Sequence, residues 1–322
     1  MLVMVSRTLT FFLLALALPA AAQDYPAREI RSICNFAAGS GADIIVRYYS
    51  DRLSRLAGKP VLVENRPGAQ GTVATDYVAK SKPDGYTLMI TPASSTLATA
   101  PHIFKTLPFD PAKDFAPVTT ITSLSFVIAV DASKPIRTIP ELISYLKAKP
   151  QNGFYGTGSN TGQVAAELLK VRSGVETTYV PFKATVSALA AVLSGEVDFL
   201  SYDATWAVTQ REPAGRLRIL AATSAKRSGA LPGVPTLSEL GMGEFDIAPW
   251  FGVVVPAGTP RPIVERLAVW FNQITNSDDA KQFLARAAFD AFPGSPEQMA
   301  ALLKTETERW GRWVKLAKIE PQ

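Results

Sequence analysis

Two short stretches of this sequence are built almost entirely from residues that let a ligand approach the main chain. The first, Phe36-Ala37-Ala38-Gly39-Ser40-Gly41-Ala42-Asp43, separates an apolar run that reads as a strand from an amphipathic segment that reads as a helix. Small side chains leave backbone N–H groups open to close approach, and the helix that follows adds the positive end of its dipole. Such a loop favours an anion. The second, Gly156-Thr157-Gly158-Ser159-Asn160-Thr161-Gly162, joins another strand to another helix near the middle of the chain and has the same chemistry. Each stretch also reads as an ordinary strand-to-helix turn in which glycine supplies tight geometry.

Other chemistries lack raw material. One histidine, His102, and one cysteine, Cys34, set aside a Cys/His zinc site, a disulfide framework and a histidine-rich active site. No serine sits in a G-x-S-x-G elbow, and His102 follows Pro101 in a polar stretch, where it reads as a loop or surface residue. Gly39-x-Gly41 is half of a dinucleotide fingerprint, but Ile44 occupies the third glycine position, so no nicotinamide cofactor is expected. No cofactor, metal or catalytic residue is assigned. Lys plus Arg number 33 against 28 for Asp plus Glu, a formal charge of +5 that is dispersed along the chain, which gives nucleic-acid binding no support.

The elements that must position the loops follow from periodicity. Strands at 30–36, 61–63 and 86–90 alternate with helices at 43–56 and 70–80. The rhythm returns with strands at 126–130, 154–155, 178–180 and 197–200 and helices at 139–149, 161–172 and 186–193. This predicts an α/β protein of two units, each a mostly parallel sheet flanked by helices, with ligands collecting beyond the strand ends. Residues 250–255 read as a further strand, followed by three helical stretches. The last opens with Ser295 as N-cap and Pro296 at the first position, and Met299, Leu302, Leu303, Trp310, Trp313 and Val314 form one apolar face suited to core packing.

Residues 1–22 read as a signal peptide: Arg7, then an apolar run at 9–18, then Pro19-Ala20-Ala21-Ala22. The run is about half of the roughly 20 residues that cross a bilayer. No cysteine follows the cleavage region, so a free periplasmic protein is expected rather than a lipoprotein.

Several stretches together resemble a known family. Tyr25-Pro26, the first loop, Val63-Glu64-Asn65-Arg66-Pro67-Gly68, Pro83-Asp84-Gly85-Tyr86-Thr87-Leu88, Asp114-Phe115-Ala116-Pro117-Val118, Val180-Pro181-Phe182-Lys183, Gly195-Glu196-Val197-Asp198 and Pro256-Ala257-Gly258-Thr259-Pro260 look like the Bug (TctC) receptors. These are the extracytoplasmic solute-binding proteins of tripartite tricarboxylate transporters, and the resemblance runs in order through the whole mature chain. It implies a two-lobed periplasmic-binding-protein, or Venus-flytrap, fold. Residues 23–124 and 250–322 would form lobe 1 and residues 125–249 lobe 2, with crossings near 123–126 and 248–251.

The resemblance further implies a ligand carboxylate held between the strand-to-helix loops of the two lobes. The residues it points to are Phe36, Ala37, Ala38, Gly39, Ser40, Gly41, Ala42 and Asp43 from one lobe. From the other come Thr157, Gly158, Ser159, Asn160 and Thr161, with Lys183. Thr91 and Ser94, beyond the strand ending at Ile90, are added as cleft hydroxyls. Asp203 is read either as a carboxylate that attracts an amine or as a helix cap or ion-pair partner of Lys183. Asn35 replaces a usual proline, Ser40 a common glycine, and Phe182-Lys183-Ala184 the usual Tyr-Lys-Gly, so the far end of the pocket is expected to differ in shape. The implied partners are a dicarboxylate, tricarboxylate or aromatic acid and the permease subunits of a transporter, with the receptor itself a monomer. Two rival readings are a ligand sensor for a two-component system and a secreted hydrolase using Asp43 and Asp203 as acid and base.

Overall fold

The alternation of apolar runs and amphipathic segments folds into the same three-stranded unit twice. The computed structural model describes residues 25–321 apart from 183–184, 206, 208–210 and 212–214. The expected signal peptide and Lys183 therefore lie outside the described residues. β1 (Ile30–Cys34), α1 (Gly41–Ala57), β2 (Val61–Asn65), α2 (Thr72–Ala79) and β3 (Thr87–Thr91) make the first unit. A π-helical turn (Ser94–Thr99), α3 (Ala100–Ile103) and the long β4 (Phe115–Leu124) then lead to β5 (Phe126–Asp131) and α4 (Ile139–Lys147). The second unit is β6 (Phe154–Thr157), α5 (Asn160–Ser173), β7 (Thr178–Pro181), α6 (Thr185–Ser194) and β8 (Phe199–Asp203). After β9 (Leu217–Ala222), the chain returns through β10 (Trp250–Pro256), α7 (Arg261–Asn276), α8 (Asp278–Arg286), β11 (Phe289–Ala291) and α9 (Pro296–Leu316).

In both units the first strand ends up in the middle, β2-β1-β3 and β7-β6-β8, with all neighbours parallel. The chain leaving β1 or β6 therefore turns at a switch point, where a crevice opens beyond the strand ends. The rest of each sheet adds antiparallel pairings to this parallel unit, so both sheets are mixed. The full orders are β11-β4-β10-β3-β1-β2 and β7-β6-β8-β5-β9, and every pairing that β4, β5, β9, β10 and β11 make with another of these strands is antiparallel. The reason is directional. The parallel strands run toward the crevice, whereas β5 and β10 arrive from a crossing between the sheets, start at the crevice side and run away from it.

The two crossings lie side by side. The N–H of Leu124 donates to the carbonyl of Pro249 at 2.9 Å, and the Thr223 hydroxyl donates to the carbonyl of Ile247 at 2.7 Å. α1 and α7 cover one face of the six-stranded sheet, burying Ile30, Val46, Tyr49, Leu53 and Phe271. Removal from water is worth about 1.5–3 kcal/mol for each side chain of this kind. Ile33, Met89, Leu97 and Val254 form a second core with Met299. Cys34 is buried and unpaired in β1, as a core strand requires.

The C-terminal helix joins the lobes a third time. Ser295 and Gln298 cap it reciprocally, Oγ accepting from the Gln298 N–H at 3.2 Å and Oε1 from the Ser295 N–H at 2.8 Å. Its first turns put Met299 into the core beside β10, while Trp310, Trp313, Val314 and Ala317 pack with Leu142, Val164 and Leu168 of the five-stranded sheet's core. The apolar stripe is core, but it belongs to both lobes. The one histidine serves this joint. His102 Nε2 lies 2.7 Å from the carbonyl of Thr307, so Nε2 carries the proton, and a side chain at Gly311 would meet the imidazole at 2.7 Å.

One carboxyl on this helix is set against its surroundings. Glu306 is buried, with Arg309 Nη1 at 3.1 Å, and the same guanidinium reaches Asp246 at 2.8 Å. Burial is the largest influence and, with the Asp246 charge, outweighs Arg309, pushing the carboxyl up from 4.5 to about 7. The native state thus holds this proton more tightly than the unfolded chain does. The group's stabilising contribution is complete below pH 4.5 and is lost as the pH rises through about 7. Glu306→Gln, which stays neutral, should match the wild type in thermal unfolding near pH 5 and exceed it near pH 8 by on the order of 2 kcal/mol. Parallel curves at the two pH values would refute the buried-acid assignment.

Candidate functional site

Both small-residue loops start helices, and both helices are capped in the same way. In α1 the N-cap is Ser40, whose Oγ accepts from the N–H of Asp43 at 3.2 Å. In α5 it is Ser159, whose Oγ accepts from the N–H of Gly162 at 3.1 Å. Each cap thus occupies the third amide of its helix. The first two, at Gly41 and Ala42 and at Asn160 and Thr161, donate to no partner among the described residues. Four N–H groups at two positive helix ends make an arrangement for an oxyanion.

Asp43 holds the first loop in shape from beneath. Its buried carboxylate accepts from the Gly39 N–H at 2.8 Å, from Arg47 Nε at 2.8 Å and from Asn65 Nδ2 at 2.7 Å. Burial alone would raise this carboxyl, but the hydrogen bonds from Arg47, Asn65 and Gly39 prevail and hold it below the ordinary range. Asp43 and the Gly39 amide are therefore spent on the loop itself, and Gly39 takes the left-handed φ of +81° that the turn needs. Phe36, Ala37 and Ala38 are exposed, and the Phe36 carbonyl accepts from Asn65 at 3.0 Å.

The second loop is braced by Thr157, a buried residue whose Oγ1 accepts from the Ser159 N–H at 3.3 Å. Gly162 lets α5 lie close to β8: a Cβ there would collide with Thr157 Oγ1 and stand 2.9 Å from the Ser201 carbonyl. Gly158 and Ser159 complete the turn, and the Thr161 hydroxyl has no partner among the described residues.

Two predicted hydroxyls lie under the site rather than on it. Thr91 is buried and bonds Asn35 Oδ1 at 3.1 Å and Thr96 Oγ1 at 2.9 Å. Ser94 is buried in the π-helical turn, where its Oγ accepts from the Trp250 N–H at 3.1 Å and so holds the returning crossing. Asp203 closes β8 opposite Phe126, at the start of the other crossing, and accepts from the Thr205 hydroxyl.

The sequence reading missed a third loop. Residues 68–71, expected to lead directly into a helix from Gln70, form a separate turn with positive φ throughout. Its tip meets the second loop, Asn160 Nδ2 donating to Gln70 Oε1 at 3.3 Å. Asn35 lies beneath, within 2.5 Å of where a Gly71 side chain would start. The run Asn65-Arg66-Pro67-Gly68 marks this turn, but nothing in it marks Gln70 as reaching another lobe.

Two α/β lobes joined by paired crossings, each with a capped helix N-terminus following its central strand, define a two-lobed solute-binding architecture. Residues 45–319 match the tripartite tricarboxylate transporter family receptor, and the chain belongs to that family. BugT of Bordetella pertussis is 31% identical over 301 residues, covering 92% of this chain and 91% of that protein. Among solved structures, Rpa4515 of Rhodopseudomonas palustris with adipate is 34% identical with a TM-score of 0.81, covering 93% of this chain and all of that one. MatC of the same organism with bound malate is 28% identical with a TM-score of 0.75, covering 90% of this chain and 100% of that one.

The close approach of α5 to β8 is directly testable. Gly162→Ala should destabilise the protein by about 1–3 kcal/mol in urea unfolding, because Thr157 must shift to admit the methyl. Gly233→Ala, where a Cβ meets nothing within 4 Å, serves as the control and should be near neutral. Equal effects of the two would show that the second loop is not packed against β8 as described.

Proposed function

We propose that this chain is a periplasmic receptor that captures a small organic dicarboxylate between its lobes and presents it to the membrane subunits of a tripartite transporter. The observation that carries the reading is the pair of identically capped helices, each leaving its first two amides without a partner among the described residues. Family membership supports the periplasmic location and the transporter partnership. Two relatives solved with adipate and with malate favour a ligand with two carboxylates over an aromatic or tricarboxylic acid. The hydrolase rival loses one of its two carboxylates, since Asp43 is buried and engaged by Gly39, Arg47 and Asn65.

The magnitudes are compatible with amide capture. A micromolar ligand needs about −8 kcal/mol. A helix terminus contributes about 0.3–2 kcal/mol, and a hydrogen bond to a charged group about 1.5–3 kcal/mol. Two termini and their four amides contribute about 7–16 kcal/mol, most of which is offset by an association cost of about 4–15 kcal/mol, so expulsion of water on closure of one lobe on the other must supply the remainder.

A thermal-shift panel of adipate, malate, citrate and terephthalate, followed by calorimetry, tests the reading. At least one dicarboxylate should raise the melting temperature by mass action and be recovered unchanged. Gly41→Leu should abolish that shift with the fold intact, because a side chain there grows into open space from a backbone without positive φ. Undiminished affinity in this variant, or turnover of the acid, would overturn the proposal.

A further inference from the structure

We propose that Gln70 is a cross-cleft latch, a residue whose side-chain amide holds the mouth of the cleft shut by bonding Asn160 of the opposite lobe. The inference deepens the receptor reading and rests on it for its biological sense.

The backbone at this turn is held in an unfavourable form. Gly68, Ala69, Gln70 and Gly71 have φ of 141°, 43°, 53° and 94° in succession. Glycine accepts such values without steric cost, whereas two consecutive residues bearing side chains do not. The neighbours over-determine the shape. The Gly71 N–H donates to the Gly68 carbonyl at 2.8 Å, and the hydroxyls of Thr72 and Thr75 donate to the carbonyls of Ala69 and Gly71, each at 2.9 Å. Strain that is sustained in this way belongs to sites where a side chain must be aimed.

Gln70 is aimed at the other lobe. Its Oε1 accepts from Asn160 Nδ2 at 3.3 Å, although 90 residues separate the two. Asn160 is the first residue of α5, next to the open amides of the second loop, and Gln70 stands on a turn seated against Asn35 beneath the first. The bond therefore joins the two lobes directly, and a separation of the lobes at this point must break it. An asparagine in place of Gln70 would be too short by one methylene, whereas glutamine's length and neutrality allow it to reach Asn160 without repelling an anion behind it. One amide N–H of Asn160 and both of Gln70 have no partner among the described residues, and such donors match a carboxylate or hydroxyl on a ligand.

The test uses the mature protein as wild type, Gln70→Gly, Asn160→Ala and the double variant. Gln70→Gly relieves the backbone and removes only the latch, so thermal stability should hold or rise. In small-angle scattering without ligand, either single variant should give a larger radius of gyration than wild type, and the double variant no more than either single. Wherever adipate or malate binds, stopped-flow dissociation should be roughly three- to tenfold faster in each variant, again without further gain in the double. Unchanged scattering in both single variants, or effects that simply add, would overturn the latch. Because the scattering arm uses no ligand, failure of every acid to bind would count against the receptor reading and leave the latch to be judged on its own.

Discussion

An α-helix begins with N–H groups that no carbonyl of its own can reach, and this protein is arranged around what happens to them. In α1 and α5 alike a serine takes the third amide and leaves the first two. That choice does two things together: it anchors the loop to its helix and leaves adjacent donors facing outward. Asp43 extends the device by taking the Gly39 amide, so the first loop has a fixed shape before any ligand arrives. Preorganised donors are worth more than flexible ones because no further ordering is needed on binding.

The fold brings two such ends to one place by using a single topology twice. A central first strand forces the next chain segment out at a switch point, and two sheets joined at that level bring their switch points into proximity. The crossings are held to each other by the main-chain bond from Leu124 to Pro249. The C-terminal helix is a different kind of link, since its opposite ends lie in different cores. Relative motion of the lobes must turn about that helix or flex it, which favours rotation over simple separation.

Elements with one strong periodicity were legible from the sequence, and those stabilised by distant partners were not. The amphipathic spacing of α1 and the serine cap of α9 appear where they were expected. β4 carries Pro117 and a run of threonines and does not read as a strand. It becomes one because Thr119 and Thr122 donate to the carbonyls of Gly294 and Asp290, at 2.7 and 2.8 Å, from segments far along the chain. β9 contains Arg218, whose guanidinium is satisfied by the carbonyls of Ala132, Lys134 and Ile136. Polar residues of this kind argue against a buried strand until their partners are known. The same blindness affects the site. Thr91, Ser94 and Asp43 are the right chemical types for a cleft, yet each is turned inward, Ser94 and Asp43 to main-chain N–H groups and Thr91 to the side chains of Asn35 and Thr96.

Residue order by itself determined the two small-residue loops, the helices they open and the family to which the chain belongs, because these depend on side-chain size and short-range periodicity. Only the tertiary structure decided that each sheet is extended by antiparallel pairings, that the final helix is shared between lobes and that Gln70 meets Asn160. These features arise from contacts between segments tens to hundreds of residues apart, whose direction and partners are set by how the lobes pack and not by any local propensity.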